Sequence, residues 1–242
     1  MKMNNLLELV IDAYGGLNNW GKFENISASL KIGGITWALK QVPGIMDNIN
    51  VITSTRKQFT SFYPFVEKDW HNSYEPGKVA ILNNSNEVIE ELLNPRATFS
   101  GYVTNTPWSK LQLTYFTGYA MWNYLNVPFC LTDPGYSFKE LEPWEEDGET
   151  FRRLQVTFPK EVETHSPVQT FYIDSSGLIK RHDYNVEILS GARTAHYLAD
   201  YVEVQGVKFA TKRNVYLRQE DNTAKKPEPL FISIDIRDIK LS

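Results

Sequence analysis

The sequence predicts a mainly β protein: one strongly curved antiparallel meander, a half-barrel or open barrel, with helices packed on or plugging its concave face. Three observations predict it. Apolar and polar residues alternate along most of the chain, as in strands with one buried face. The breaks between the later alternating runs, at Glu146-Asp147-Gly148, Ser175-Ser176-Gly177, Ser190-Gly191 and Gln205-Gly206, are short enough for hairpins, and sequential hairpins make a meander. The stretch 111–132 carries no charge. From just before it, Trp108, Leu111, Tyr115, Tyr119 and Trp122 recur at helical spacing and Phe116, Ala120 and Met121 fill the neighbouring face, so this helix has to be buried. Twist accumulates in a large meander until the sheet curls, which gives the helix an interior to occupy.

Taken in order, Leu6, Leu7, Val10, Ile11 and Tyr14 make one face of a helix over residues 3–14, and Gly15-Gly16 can end it in a left-handed conformation. From Ile26 the period changes to two, and Gly33-Gly34 permits a bend before a further strand at 35–42. Strands follow at 48–58, 59–65, 68–74 and 78–82, punctuated by Pro43-Gly44 and Pro76-Gly77. The segment 86–93 (NEVIEELL) reads as a second helix, with Ser85 as N-cap and Asn94-Pro95 ending it. The apolar helix is expected over about 108–125, capped by Thr106 with Pro107 at its first position. Strands are then expected at 136–144, 150–158, 168–173, 178–188, 194–204, 207–218 and 230–241, with 221–229 an exposed loop between the last two. The 242 residues form one domain, 1–242.

With a net charge of −4 and no block of five like charges, the chain offers no electrostatic footprint for nucleic acid or an anionic membrane. Cys130 is the sole cysteine, which excludes an internal disulfide and suits a buried structural thiol. Glu8 and Asp12 cut the N-terminal apolar run, so no signal-peptide core is evident and a cytoplasmic location is expected. Gln112, Asn123, Asn126 and Pro128 interrupt the charge-free stretch, arguing against membrane insertion. Aromatic residues make up 13% of the chain; the surplus fits either a ligand cavity or a sheet-rich core.

The leading helix that closes on Gly-Gly with a Trp shortly after (AYGGLNNW, 13–20) precedes long meandering strands interrupted by central helices. Near the C-terminus come an Asp-x-x-Gly-Leu turn (IDSSGLIKRHDY, 173–184) and a Gly-Val-x-Phe step (DYVEVQGVKFATKRNVY, 200–216). In these features the chain resembles the LolA/LolB-like lipoprotein-carrier superfamily, and PWSKLQLTYFTGYAMWNYLNVPF and THSPVQTFYID are similar to bacterial proteins of that type. The resemblance implies an apolar cavity between curved sheet and helices that receives acyl chains. Those carriers are exported, whereas this N-terminus shows no export signal. No ligand-binding side chain of the family maps onto a position here.

Four histidines occur, His71, His165, His182 and His196, with no zinc-motif spacing, and no metal or cofactor is expected. A hairpin turning near Gly191 would put His182 opposite Asp200 and His196 opposite Val186, with His182, Tyr184, Val186 and Ile188 on one face and His196, Leu198, Asp200 and Val202 on the same side of the next strand. A carboxylate orienting an imidazole, with a tyrosine as proton donor, has the parts for acid–base work; a satisfied polar network or a solvent face is the alternative. A one-residue slip would separate His182 from Asp200. Arg213 alternates with Phe209, Thr211, Val215 and Leu217 and faces inward, where it would hold a ligand carboxylate or phosphate or pair with Asp or Glu. Arg152, Arg153, Arg181 and Asp183 read as cross-strand surface pairs, and Phe62, Tyr63, Phe65 and Trp70 as core or the edge of a pocket mouth.

Two functions follow. The first is binding of an apolar or amphipathic, lipid-like small molecule in a cavity walled by the sheet and the central helix, with Trp108, Tyr115, Tyr119, Trp122 and Arg213 as ligand-binding residues. The second is a cytoplasmic enzyme of lyase, isomerase or cyclase type using His182, Asp200, Tyr184 and His196 in the same cavity. A protein-interaction module is a third class. Oligomeric state is left open.

Overall fold

In the computed structural model, which describes residues 4–242, the chain is one 13-stranded antiparallel sheet that curls without closing. Helix α1 (Asn5–Ala13) and the single turn α2 (Leu17–Trp20) lead into β1 (Asn25–Gly33), and the turn α3 (Thr36–Leu39) connects it to β2 (Ile49–Ser54). Next come β3 (Thr60–Tyr63), β4 (Trp70–Glu75), β5 (Lys78–Asn83) and β6 (Val88–Leu93). The long helix α4 (Lys110–Asn126) separates these from β7 (Ser137–Glu146), β8 (Glu149–Thr157), β9 (Val168–Ile173), β10 (Ile179–Val186), β11 (Ala192–Val204), β12 (Val207–Leu217) and β13 (Ile232–Leu241). The sheet order runs from β6 back to β1, across to β13, and down to β7. The two ends of the chain are therefore zipped together at the centre, β1 against β13, and the strands flanking α4 are the two edges. Residue 3, the expected first position of the leading helix, lies outside the described residues.

Helix α4 begins at a capping box: Ser109 Oγ accepts from Gln112 N at 3.1 Å, and Gln112 Oε1 accepts from Ser109 N at 2.9 Å. Ser109, not Thr106, is the cap, and Trp108 and Pro107 precede the helix. Every residue from 112 to 126 is buried. The polar donors are satisfied in place: Asn123 Nδ2 donates to Tyr119 O and Glu163 O, Asn126 Nδ2 donates to Trp122 O, and Thr114 and Thr117 donate back to the preceding turn, whereas among the described residues the amide oxygens of Asn123 and Asn126 have no partner.

Gly118 is where α4 meets β4. A Cβ there would stand 2.5 Å from Tyr74 Cγ, so helix and strand approach to backbone distance. Gly→Ala ordinarily stabilises a helix interior by about 1 kcal/mol. Gly118→Ala is expected to do the reverse, destabilising by ~1–3 kcal/mol through overpacking against Tyr74, and a urea denaturation midpoint above wild type would contradict the contact.

Two expected elements differ. The segment 86–93 is not a helix but the edge strand β6, antiparallel to β5. Asn83 decides it: its Oδ1 accepts from Ser85 N at 2.9 Å and Glu87 N at 3.0 Å, Asn86 takes φ +61°, and the chain reverses as a hairpin. Lying at the edge with both faces largely exposed, β6 can carry the Glu pair that resembles a helix surface, and Glu91 pairs with Lys78 at 2.5 Å. Nor is 35–42 a strand. Gly34, at φ +104°, packs its Cα against Phe231 O, where a side chain would collide; Thr36 N and Oγ1 donate to that carbonyl, and the chain coils into α3.

The surface-pair reading holds for Arg152, which meets Glu140 at 2.8 Å, but not for Arg181 and Asp183. These are buried and paired along one strand, Arg181 Nε to Asp183 Oδ1 at 2.7 Å and Nη2 to Oδ2 at 2.8 Å, with Glu146 and Asn222 O completing the guanidinium. The β7–β8 hairpin end and the loop after β12 cover them, a burial that strand alternation alone does not reveal.

Candidate functional site: the cavity between sheet and helix

The β10–β11 hairpin turns earlier than the glycine suggested. Residues Glu187–Leu189 form one turn of 3-10 helix and Ser190 takes φ +55°, so Val186 pairs with Ala192 and His182 with His196. Asp200 is consequently far from His182. It is exposed, at φ +54°, beside a gap in the β11–β12 ladder between Ala199↔Lys212 and Tyr201↔Ala210. The carboxylate of the expected acid–base cluster is therefore missing from it.

His182, Tyr184 and His196 do meet, under α4, and His165 from the β8–β9 loop joins them. The contacts form a row: Tyr119 Oη to His165 Nδ1 at 3.1 Å, His165 Nε2 to Tyr124 Oη at 2.8 Å, Tyr124 Oη to Tyr184 Oη at 2.6 Å, and Tyr184 Oη to His196 Nδ1 at 3.5 Å. Proton counting gives the row one direction in which each hydroxyl has an acceptor: Tyr119 donates to His165, His165 to Tyr124, Tyr124 to Tyr184 and Tyr184 to His196 Nδ1. His196 then keeps its proton on Nε2, which has no partner. His182 Nε2 meets Gln169 Oε1 at 2.6 Å.

Burial, then the charge of Arg96, pushes His165 down to about 3. Burial likewise holds His182 and His196 well below the usual imidazole range, with neighbouring histidines and Arg213 adding to it. Burial raises the hydroxyls of Tyr124 and Tyr184 far above the usual phenol range. At neutral pH the row is an uncharged hydrogen-bonded network with no carboxylate to orient an imidazole.

Beside this row lies a partly open cavity of about 60 Å³. Its walls are Leu39 of α3, Phe116 of α4, Val186 and Leu189 at the β10–β11 turn, Leu217 of β12 and Ile232 of β13, with His165 and Tyr184 at its floor. Lys40 also lines it. Its Nζ donates only to the carbonyls of Val103 and Thr106, at 3.2 and 3.4 Å, and sits 5.2 Å above the Trp108 ring. Burial lowers the Lys40 ammonium below its ordinary value. Two smaller voids continue along α4: one of about 20 Å³ by Trp37, Met121 and Ile234, which shares Phe116 with the first cavity, and one of about 10 Å³ by Arg213, which shares Tyr124 with the second. A wider, open cleft of about 320 Å³ lies at Arg96 and Glu163, its surface mostly apolar from residues such as Phe158, Val162 and Pro167, and Arg96 there is already engaged by Glu187, Tyr115 and Thr164 O.

Of the aromatic residues expected to touch a ligand, none walls the 60 Å³ cavity. Trp108 packs on Phe99 and Phe116, Tyr115 takes a hydrogen bond from Arg96, Tyr119 meets His165, and Trp122 Nε1 donates to Ser54 O. They are core. Arg213 does face inward, and among the described residues no Asp or Glu pairs with it. The wall residues Lys40 and Leu189 were not singled out by sequence reasoning, because they come from the coil after α3 and the one-turn helix after β10, whose side chains have no period to betray them. Val186 and Leu217 were placed only by the alternation of their strands, Phe116 and Tyr184 only as helix face and expected cluster, and His165 had its signal in the THSPVQTFYID segment.

No protein-family model and no curated protein matches the chain. Solved structures do. Three are similar over 98% of this chain and 92% of theirs, each with a TM-score of 0.53: a DUF1329 family protein from Desulfovibrio piger ATCC 29098 at 11% identity, a LolA superfamily protein from Nitrosomonas europaea at 12%, and a domain from Vibrio parahaemolyticus, named for outer membrane lipoprotein sorting, at 9%. The chain has the LolA-like fold. The cytoplasmic location expected from the N-terminus is overturned by these likenesses, since it does not fit a neighbour named for the outer membrane. Among the described residues no helix of this LolA-like chain is long and apolar enough to cross a membrane.

Proposed function

We propose that the protein binds an apolar or amphipathic, lipid-like small molecule between the curved sheet and α4, with the 60 Å³ cavity as the seed of the binding space. One observation carries the reading: a mostly apolar, partly open cavity has a lysine in its wall whose ammonium is held, among the described residues, by two carbonyls alone. An acyl chain would fill such a wall, and an acidic head would take the remaining hydrogen bond of Lys40. A ligand of this kind occupies several hundred Å³ when enclosed, so α3 and the β10–β11 turn would have to part from α4 on loading. The likeness to a lipoprotein-sorting domain supports the same reading.

Displacement of a fluorescent fatty-acid probe tests it. Wild type is expected to bind long-chain acids, and Ala192→Phe, which grows a ring into the cavity, to weaken them tenfold or more with the fold intact. Lys40→Met should weaken acids and leave fatty alcohols nearly unchanged. Absence of displacement by acyl, isoprenoid and aromatic ligands alike would remove the proposal.

A further inference from the structure

We propose that Arg213 forms a second, separate site, a buried pocket for a single negative charge that is filled by a halide ion or by one carboxylate oxygen. Arg213 stands on β12, opposite Leu198 of β11 and Ile234 of β13, on the face covered by α4. Its Nη2 donates to Tyr124 O at 2.8 Å, and its Cζ lies 5.3 Å from the centre of the Tyr124 ring. Its Nε–H is buried and has no acceptor among the described residues. A guanidinium does not give up its proton in a protein, so this is a full positive charge inside the sheet.

The groups that surround it are neutral: Tyr14, Tyr124, Tyr184 and Tyr201, with His182 and His196. Among the described residues no carboxylate reaches it, whereas the other arginine buried in this protein, Arg181, has Asp183 and Glu146. A buried cation without a counter-charge is strongly unfavourable, and the Tyr124 ring offsets only part of that.

Room for the missing charge exists. Arg213, Tyr14, Asn123, His182 and Leu198 line the cavity of about 10 Å³, close to the volume one water or one small ion needs. A second donor without a partner among the described residues, His196 Nε2, belongs to the residue two before Leu198, and its ring also packs edge-on against Tyr124, with the ring centres 4.6 Å apart. His196 does not line this cavity, so the idle N–H available to an anion there is that of the cation itself, Arg213 Nε–H. Water is the rival occupant: it would bridge Arg213 Nε–H to the likewise unpartnered Asn123 Oδ1, and it would leave the charge uncompensated.

The test compares melting temperatures at constant ionic strength in sodium bromide, sodium octanoate and sodium isethionate, whose anion is too large to enter, together with anomalous diffraction from bromide-soaked crystals. The octanoate arm uses Ala192→Phe, so that failure of the cavity assigned above and failure at Arg213 are read separately. We expect a saturable rise in melting temperature over isethionate, and an anomalous peak within hydrogen-bond distance of Arg213 Nε. A response to bromide assigns the site to an inorganic ion; a response to octanoate at lower concentration than bromide assigns it to a carboxylate head. Arg213→Met should lose the saturable rise. Should that variant not fold, Asn123→Asp supplies a carboxylate from within the protein and should abolish the bromide response. No saturable rise with bromide in wild type or with octanoate in Ala192→Phe, or a bromide response that survives Asn123→Asp, overturns the proposal in favour of water.

Discussion

Replacing Trp122 by Ala is expected to destabilise the fold by ~3–5 kcal/mol, the range for emptying a packed aromatic site. The indole is 4% exposed in the middle of α4, so its removal opens a void that neighbours on a rigid helix and sheet cannot fill. Its Nε1 donates at 3.0 Å to Ser54 O, the carbonyl at the end of β2, which Asn126 Nδ2 also reaches at 3.3 Å. Because Asn126 remains, loss of the indole N–H leaves that carbonyl partnered, and Trp122→Phe should cost less, ~1–2 kcal/mol for the lost hydrogen bond and volume. Urea unfolding of the two variants separates packing from hydrogen bonding. A Trp122→Ala cost below that of Trp122→Phe would mean that α4 is not clamped to the sheet.

Acidification from pH 7 to pH 5 is expected to remove much of the protein's stability, at about 2 kcal/mol for each of the three buried histidines. The sign follows from their lowered folded-state values, His165 to about 3 and His182 and His196 well below the usual range, all mainly by burial. Between the unfolded value near 6.5 and the folded one the unfolded chain binds more protons, so stability is full above about pH 6.5 and falls as pH falls. Glu163 and Asp183, raised by burial, act in the opposite sense and offset part of the loss at the acid end. Folded proteins hold only ~5–15 kcal/mol in total, so a loss of this size is visible in any melt. Urea titrations at pH 7, 6 and 5 measure it, and His182→Gln should lower the slope by about a third. A flat profile would show that the histidine row is wet or charged in the native state.

Where the chemistry of the site was legible depended on whether it was carried by one strand or by a pairing. Tyr184 and His182 share a face because side chains alternate with period two, and that needs no knowledge of the fold. Their facing residue depends on where the hairpin turns. Gly191 marks the turn region correctly, yet the one-turn helix at Glu187–Leu189 moves its centre, exchanging Asp200 for His196 opposite His182. The aromatic residues of α4 announced burial, which they have, and not contact with a ligand, which composition cannot distinguish from packing.

By itself the sequence determined the architecture. Charge-free helical periodicity in 111–132 required a buried helix, and a run of hairpins required a curled meander around it; both follow from apolar spacing and local turn chemistry. Tertiary structure alone decided that 86–93 is an edge strand, that Arg181 and Asp183 are buried, that Lys40 and Leu189 wall the cavity, and that Arg213 has no carboxylate beside it. The physical reason is common to all four. Each depends on which distant segment covers a residue or stands beside it, and the energy of burying a charge or pairing an edge is set by that neighbour and not by the residues adjoining it in the chain.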